Sequence, residues 1–138
     1  MPTPNQARIA MMAAFSAGWN ESVYPVSYDN AAYTPPTGVT SWAKFSIKFV
    51  GGGQISLGST DNRRFRRWGF LTIEVYTMAN TATSASDTLA TTALNIFDGK
   101  DFSGVRFREG RIETVGEDAE GKWYEQDAVL YFEFDENK

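Results

Sequence analysis

The clearest alternation of apolar and polar positions in this 138-residue chain runs from Phe70 to Thr77. Leu71, Ile73 and Val75 fall on one face and Thr72, Glu74 and Tyr76 on the other, so the period of two predicts a half-buried strand. Just before it, Arg63-Arg64-Phe65-Arg66-Arg67-Trp68 gathers four positive charges. This run reads as the end of a polar loop over 58–67, delivered by the strand to one rim of a sheet. A second strand is predicted from Trp42 to Val50, with Phe45, Ile47 and Phe49 alternating against Lys44, Ser46 and Lys48. The last strand is predicted from Trp123 to Phe134, with Leu130, Phe132 and Phe134 on one face. Residues 102–115 read as a strand pair or one bent strand, with Val105 and Phe107 inward, Arg106 and Arg108 outward, and Gly110 at a bulge or bend.

Two segments carry helical spacing instead. Thr3-Pro4-Asn5-Gln6 opens the first: Thr3 can accept from the amide three residues on, Gln6 can reach back, and Pro4 loses nothing at the first helical position. Ile9, Met12, Phe15 and Trp19 follow as one apolar stripe, with Gly18 as the stop. The second helix is predicted from Ser84 as N-cap with Asp87 in the first turn. Leu89, Ala93, Ile96 and Phe97 form its stripe, and Gly99 closes it. Between these elements, residues 23–30 read as extended with Pro25 on an edge, and 31–41 as a stiff irregular loop around Pro35-Pro36. Gly51-Gly52-Gly53 reads as a turn, with Ile55 and Leu57 in a short return strand or ragged extension. Residues 78–84 form a small polar connection, 115–121 an acidic turn and 136–138 a frayed tail. The whole is expected to be one α+β domain over 1–138, a mainly antiparallel mixed sheet with two helices packed on one face.

Composition narrows the chemistry. The chain has no cysteine and no histidine, which excludes disulfides, thiolate or imidazole metal sites, and Cys- or His-based catalysis within one copy. No apolar run reaches the length of a membrane span and no signal-peptide core stands at the N-terminus, so the chain is expected to be made in the cytosol. Asn20-Glu21-Ser22 then matches a glycosylation pattern by chance. Gly51-Gly52-Gly53 lacks the Lys-Ser/Thr and helix of a phosphate-binding loop. Asp118, Glu120 and Gly121 do not reproduce a calcium-loop spacing, and no pair of carboxylates stands out in an apolar context. No catalytic residue, cofactor or metal is therefore expected, and an enzyme is not.

Charge adds a positive reading. The net charge is −4, yet residues 1–108 hold ten basic against seven acidic side chains, and residues 109–138 three against ten. Four like charges in one loop need an acidic partner, and a basic patch of one copy meeting an acidic patch of the next makes a head-to-tail contact that closes into a ring. The candidate interface is Arg63, Arg64, Arg66, Arg67 and Trp68 on one side, and Glu117, Asp118 and Glu120 on the other. A competing reading uses the arginines with Phe65 and Trp68 to bind nucleic acid, phosphate by charge and bases by stacking, although the chain as a whole is acidic. Trp19, Trp42, Trp68 and Trp123 are expected to divide between core and interface.

Taken together, the segments resemble the small tail terminator (tail completion) proteins of long-tailed phages. The resemblance rests on the helix ending near Trp19, the extended run into Tyr28-Asp29-Asn30 and the Trp42-led strand. It continues through Arg67-Trp68-Gly69-Phe70-Leu71-Thr72-Ile73-Glu74-Val75-Tyr76, the Ala/Leu helix closing at Phe97-Asp98-Gly99, and the Gly121-Lys122-Trp123-Tyr124 turn. It spans nearly the whole chain. It implies a mixed sheet with two helices and a homo-oligomeric ring, a hexamer in that family, which caps the tail tube and stops its polymerisation. The implied partners are other copies, the tail tube protein and the head–tail connector or neck protein. No membrane is involved, and DNA is only cargo through the lumen. The implied location is the head-proximal end of the virion tail, after synthesis in the host bacterial cytoplasm. The arginine-dense segment and the acidic stretch over 109–138 depart from the family pattern. A neck or head-closure protein is the alternative within the same virion context.

Overall fold

The computed structural model describes residues 2–29, 38–79 and 83–138. Within these residues eight elements follow one another: α1 (Pro4–Gly18), β1 (Val26–Tyr28), β2 (Ser41–Gln54), β3 (Arg64–Met78), α2 (Ser84–Phe97), β4 (Asp101–Phe102), β5 (Val105–Glu117) and β6 (Trp123–Asn137). The strands form one curled sheet in the order β1-β2-β3-β6-β5-β4. Among the described residues only the short β1–β2 pair is parallel; the other neighbours run antiparallel. The α+β expectation, with a mainly antiparallel mixed sheet and two helices, holds.

The inward face follows from the alternation in each strand. Phe45 lies opposite Ile73, and Leu71 opposite Leu130, placing one apolar row across β2, β3 and β6. Both helices contribute to the core built on that row. Phe15 of α1 packs 5.1 Å from Phe45 and 6.4 Å from Phe97 of α2, ring centre to ring centre. Each of these fully buried large side chains contributes about 1.5–3 kcal/mol. The helices approach closely at Gly18, where an added Cβ would lie 2.8 Å from Ile96 Cγ1.

The Thr3–Gln6 capping box forms as predicted. Gly99, with φ of +68°, follows the end of α2 in a conformation that favours glycine. At two other positions glycine is set by space. A Cβ on Gly69 would fall 2.1 Å from the Lys48 carbonyl oxygen, and one on Gly110 2.6 Å from Leu94 Cδ1. Gly110 marks the predicted bulge, since the β5–β6 register shifts between Phe107 and Gly110.

Several expectations need correction. The buried stripe of α1 is Ala7, Met11 and Phe15, with Trp19 at the cap, whereas Ile9 is 57% exposed. Steps of four residues from Ala7 define the true face, and the larger side chain at position 9 drew attention from a small residue that packs. Thr83, not Ser84, occupies the N-cap of α2, and its side chain makes no capping hydrogen bond. The glycine triplet does not turn: β2 continues through it to Gln54, paired with β3 as far as Phe65. The return strand is β3 itself, entered from the bend that contains Ile55 and Leu57. The C-terminal residues are not frayed, because Asn137 pairs with Arg64 and the Lys138 amide donates to the Arg63 carbonyl at 2.7 Å. The 102–115 ambiguity resolves as a two-residue β4 followed by the long β5. Residues 31–37 of the expected 31–41 loop and residues 80–82 of the 78–84 connection lie outside the described residues.

Candidate interaction site

The arginines belong to a strand, not a loop. Arg64, Arg66 and Arg67 lie within β3, and only Arg63 precedes it. Alternation sends Arg64, Arg66 and Trp68 to the sheet face away from the helices, and Phe65 and Arg67 to the other. On the outer face Arg66 grips Asp135 of β6 with two bonds, Nε to Oδ1 at 2.8 Å and Nη2 to Oδ2 at 3.2 Å. Arg106 of β5 reaches the same carboxylate at 3.3 Å and Glu133 at 3.4 Å. Arg108 donates to Glu133 at 2.8 Å. The result is a ladder, Arg66–Asp135–Arg106–Glu133–Arg108, across three strands. On the opposite face Arg67 Nη2 meets Glu136 at 3.3 Å.

Both ladder acids are more than nine-tenths buried, at 6% exposure for Glu133 and 8% for Asp135, and buried carboxylates need such partners. The Arg66 hydrogen bonds hold Asp135 below the usual carboxylate range despite burial. Burial alone would raise Glu133, but hydrogen bonds and charge from Arg108 and Arg106 outweigh it and leave that group lowered as well. Three cations gather round Phe65: Arg63, Arg67 and Lys138 stand 5.8, 5.9 and 5.8 Å from its ring centre. The acid that Arg66 and Arg67 require is thus found within the same chain. Among the described residues, Arg64 is the exposed member of the cluster whose guanidinium makes no ion pair.

Further along the outer face, Trp68, Phe70 and Tyr131 form a half-buried aromatic patch, with Trp68 5.8 Å from Tyr131 and 6.1 Å from Phe70. Next comes an acidic group. Glu74, Glu125 and Asp127 each hold a carboxylate oxygen within 4.8 Å of the others. Burial, then the bond and charge of Glu125, push Asp127 up to about 8, and burial with Glu125 also raises Glu74. These three are the described residues spaced to approach a cation together; sharing protons satisfies the same geometry. Lys44 Nζ stands 3.9 Å from Glu74.

The far end of the face carries Trp42 stacked on Tyr76 at 4.3 Å and edge-on to Trp123 at 6.1 Å. Here lies the acidic turn. Asp118 and Glu120 line a shallow pocket with Trp42, Tyr76, Lys122 and Trp123. Asp118 also fixes the turn by accepting from the Lys122 amide at 2.8 Å, and Glu117 ends β5 opposite Tyr124. The candidate residues therefore form two groups at opposite ends of the sheet. Arg64 lies opposite Asn137 at one end and Glu117 opposite Tyr124 at the other. Of the tryptophans, Trp19 belongs to the core, Trp42 and Trp123 are buried on the outer face, and Trp68 is half-buried there.

Sequence reasoning missed Glu133, Asp135, Glu136, Arg106 and Arg108 as members of the charged network. A signal was present: Glu133 and Asp135 alternate with Phe132 and Phe134, so they face away from the core.

No protein-family model and no curated protein matches this chain. A solved structure whose title states no function is similar to it, with 14% identity, coverage of 92% of this chain and 94% of that one, and a TM-score of 0.61. At that identity the likeness concerns the fold alone. Among the described residues, no helix is long and apolar enough to cross a membrane.

Proposed function

We propose that this chain is a non-enzymatic virion assembly protein of the tail terminator kind, forming a ring of identical copies that caps a phage tail tube and receives the head connector. The observation that carries this reading is the tip of the β2–β3 hairpin. There Leu57 is 96% exposed and Ile55 46%, beside the arginine cluster. A large apolar side chain held wholly in water next to a charged cluster suits a surface that a protein partner covers. The segregation of exposed charge supports the same reading, with Arg64 at one end of the sheet and the acidic turn at the other. The pairing of Arg66 and Arg67 within the chain weighs against the nucleic-acid alternative, since it removes two of the four charges a phosphate backbone would meet.

The test is native mass spectrometry of the purified protein at low and at physiological ionic strength. A closed oligomer, six copies foremost, is the expected result. A monomer at every concentration and ionic strength would overturn the ring.

A further inference from the structure

Among the described residues, the sheet leaves two long stretches of strand edge open, on opposite sides and at opposite ends. β1 covers β2 only at Ala43–Phe45, and the Asp29 carboxylate takes the Ile47 amide, so among the described residues nothing pairs with the outer edge of β2 from Lys48 to Gln54. On the other side β4 covers β5 only at Val105 and Arg106, with Asp98 on the Gly110 amide, which leaves Arg111–Glu117 open. Exposed edges of this length are templates for a further strand unless they are blocked.

The side chains on these two edges match. Val50, 45% exposed, and Val115, 56% exposed, are large apolar residues facing solvent, and Ile112 adds 37%. Neither valine has a partner residue in its own sheet, because each stands at a register shift. The open β2 edge carries Lys48 and no acid, whereas the β5 edge carries Glu113 and Glu117 against Arg111. Laid antiparallel with Val50 opposite Val115, the two edges bring Lys48 opposite Glu117 and Gly52 opposite Glu113. Apolar then meets apolar, cation meets anion, and the glycines leave room for the neighbour's longer side chains.

From this we infer that the β2 edge of one copy pairs with the β5 edge of the next, joining the sheets of neighbouring copies. The inference rests on the self-assembling reading above and specifies its contact. Because the edges differ, the contact is head-to-tail and repeats around a ring. Because β1 and β4 block each edge at one end, neighbours meet with a stagger along the strands, as closed sheets require.

The test joins Val50→Cys and Val115→Cys in one chain otherwise free of cysteine. Within a copy these positions lie three strand spacings apart across the sheet, roughly 14 Å, and about seven residues apart along it, roughly 23 Å, far beyond the reach of about 7 Å for a disulfide. Mild oxidation should give a ladder of covalent oligomers, ending at the ring size, while each single variant stops at dimers. Separately, V115K should weaken self-association about tenfold or more, with an unchanged circular dichroism spectrum and melting temperature. A ring that persists in V115K, with no ladder from the double variant, would overturn edge pairing and leave the ring intact. A wild-type chain that stays monomeric, with no ladder from the double variant, would overturn both.

Discussion

Arg66 and Asp135 face each other directly across β3 and β6, joined by two hydrogen bonds of 2.8 and 3.2 Å. The carboxylate is buried and the guanidinium reaches solvent, so loss of either partner has unequal consequences. Removing the arginine leaves a buried acid with Arg106 alone; removing the acid releases two cations that water can solvate.

Charge reversal at the arginine cluster should therefore separate by position. Arg66→Glu sets a like charge against Asp135 and should lower the melting temperature, whereas Arg64→Glu, on an exposed residue without an ion pair, should change stability by less than about 0.5 kcal/mol. Arg64→Glu is thus the cleaner probe of assembly. Equal thermal destabilisation by the two variants would contradict this assignment.

The two acidic regions should pull the pH profile of stability in opposite directions. Asp135 and Glu133 are lowered in the fold, so the unfolded chain binds more protons at acid pH and their stabilisation is lost as the pH falls below roughly 4. Asp127, raised to about 8, binds its proton more tightly in the folded chain, so between roughly pH 4 and 8 its contribution declines as the pH rises. Denaturant melts across this range should place the maximum near roughly pH 5. Asp127→Asn should flatten the alkaline side and add about 1 kcal/mol at roughly pH 8, after allowance for partial exposure. An unaltered slope in that variant would show that Asp127 does not hold the proton.

Gly69→Ala should cost about 3 kcal/mol, because its Cβ would collide with the Lys48 carbonyl oxygen at 2.1 Å and with Phe132 Cζ at 2.9 Å. The first obstacle is backbone and cannot rotate away. A substitution tolerated within about 0.5 kcal/mol in chemical denaturation would mean that β2 moves freely at its bulge.

Leu57 and Leu71 offer a contrast between identical residue types. Leu57→Ser should leave stability within about 0.5 kcal/mol, since that side chain is 96% exposed, whereas Leu71→Ala, at 0% exposure, should cost about 2–5 kcal/mol. Thermal melts of the pair check both values together.

Much of this architecture was legible because local rules and tertiary packing agreed. The Thr3–Gln6 box, the Leu71-Ile73-Val75 alternation and the Leu89-Ala93-Phe97 stripe each needed only near neighbours. The glycine triplet and the arginine run misled for a common reason. Gly51–Gly53 and Arg64–Arg67 have poor strand propensity, but they pair with each other and β6 closes over the arginines from 69 residues away. Propensity yields to such pairing. The acid partners of Arg66 and Arg67 were hidden by the same separation. Charge totals pointed to acidic residues 109–138 but not to which copy supplied the partner.

The β3–β6 seam also sets the order in which the molecule can assemble itself. β2–β3 join across residues 55–63 and β5–β6 across residues 118–122, whereas β3 meets β6 only after α2, β4 and β5 have been threaded between them. Folding then becomes the docking of two hairpins, with the entropy of closing the long intervening loop concentrated in one event. On that view Leu71 and Leu130, which face each other in the seam, govern how fast the native state is reached. Truncation of either should slow refolding more than truncation within either hairpin turn, an ordering that stopped-flow kinetics would reveal.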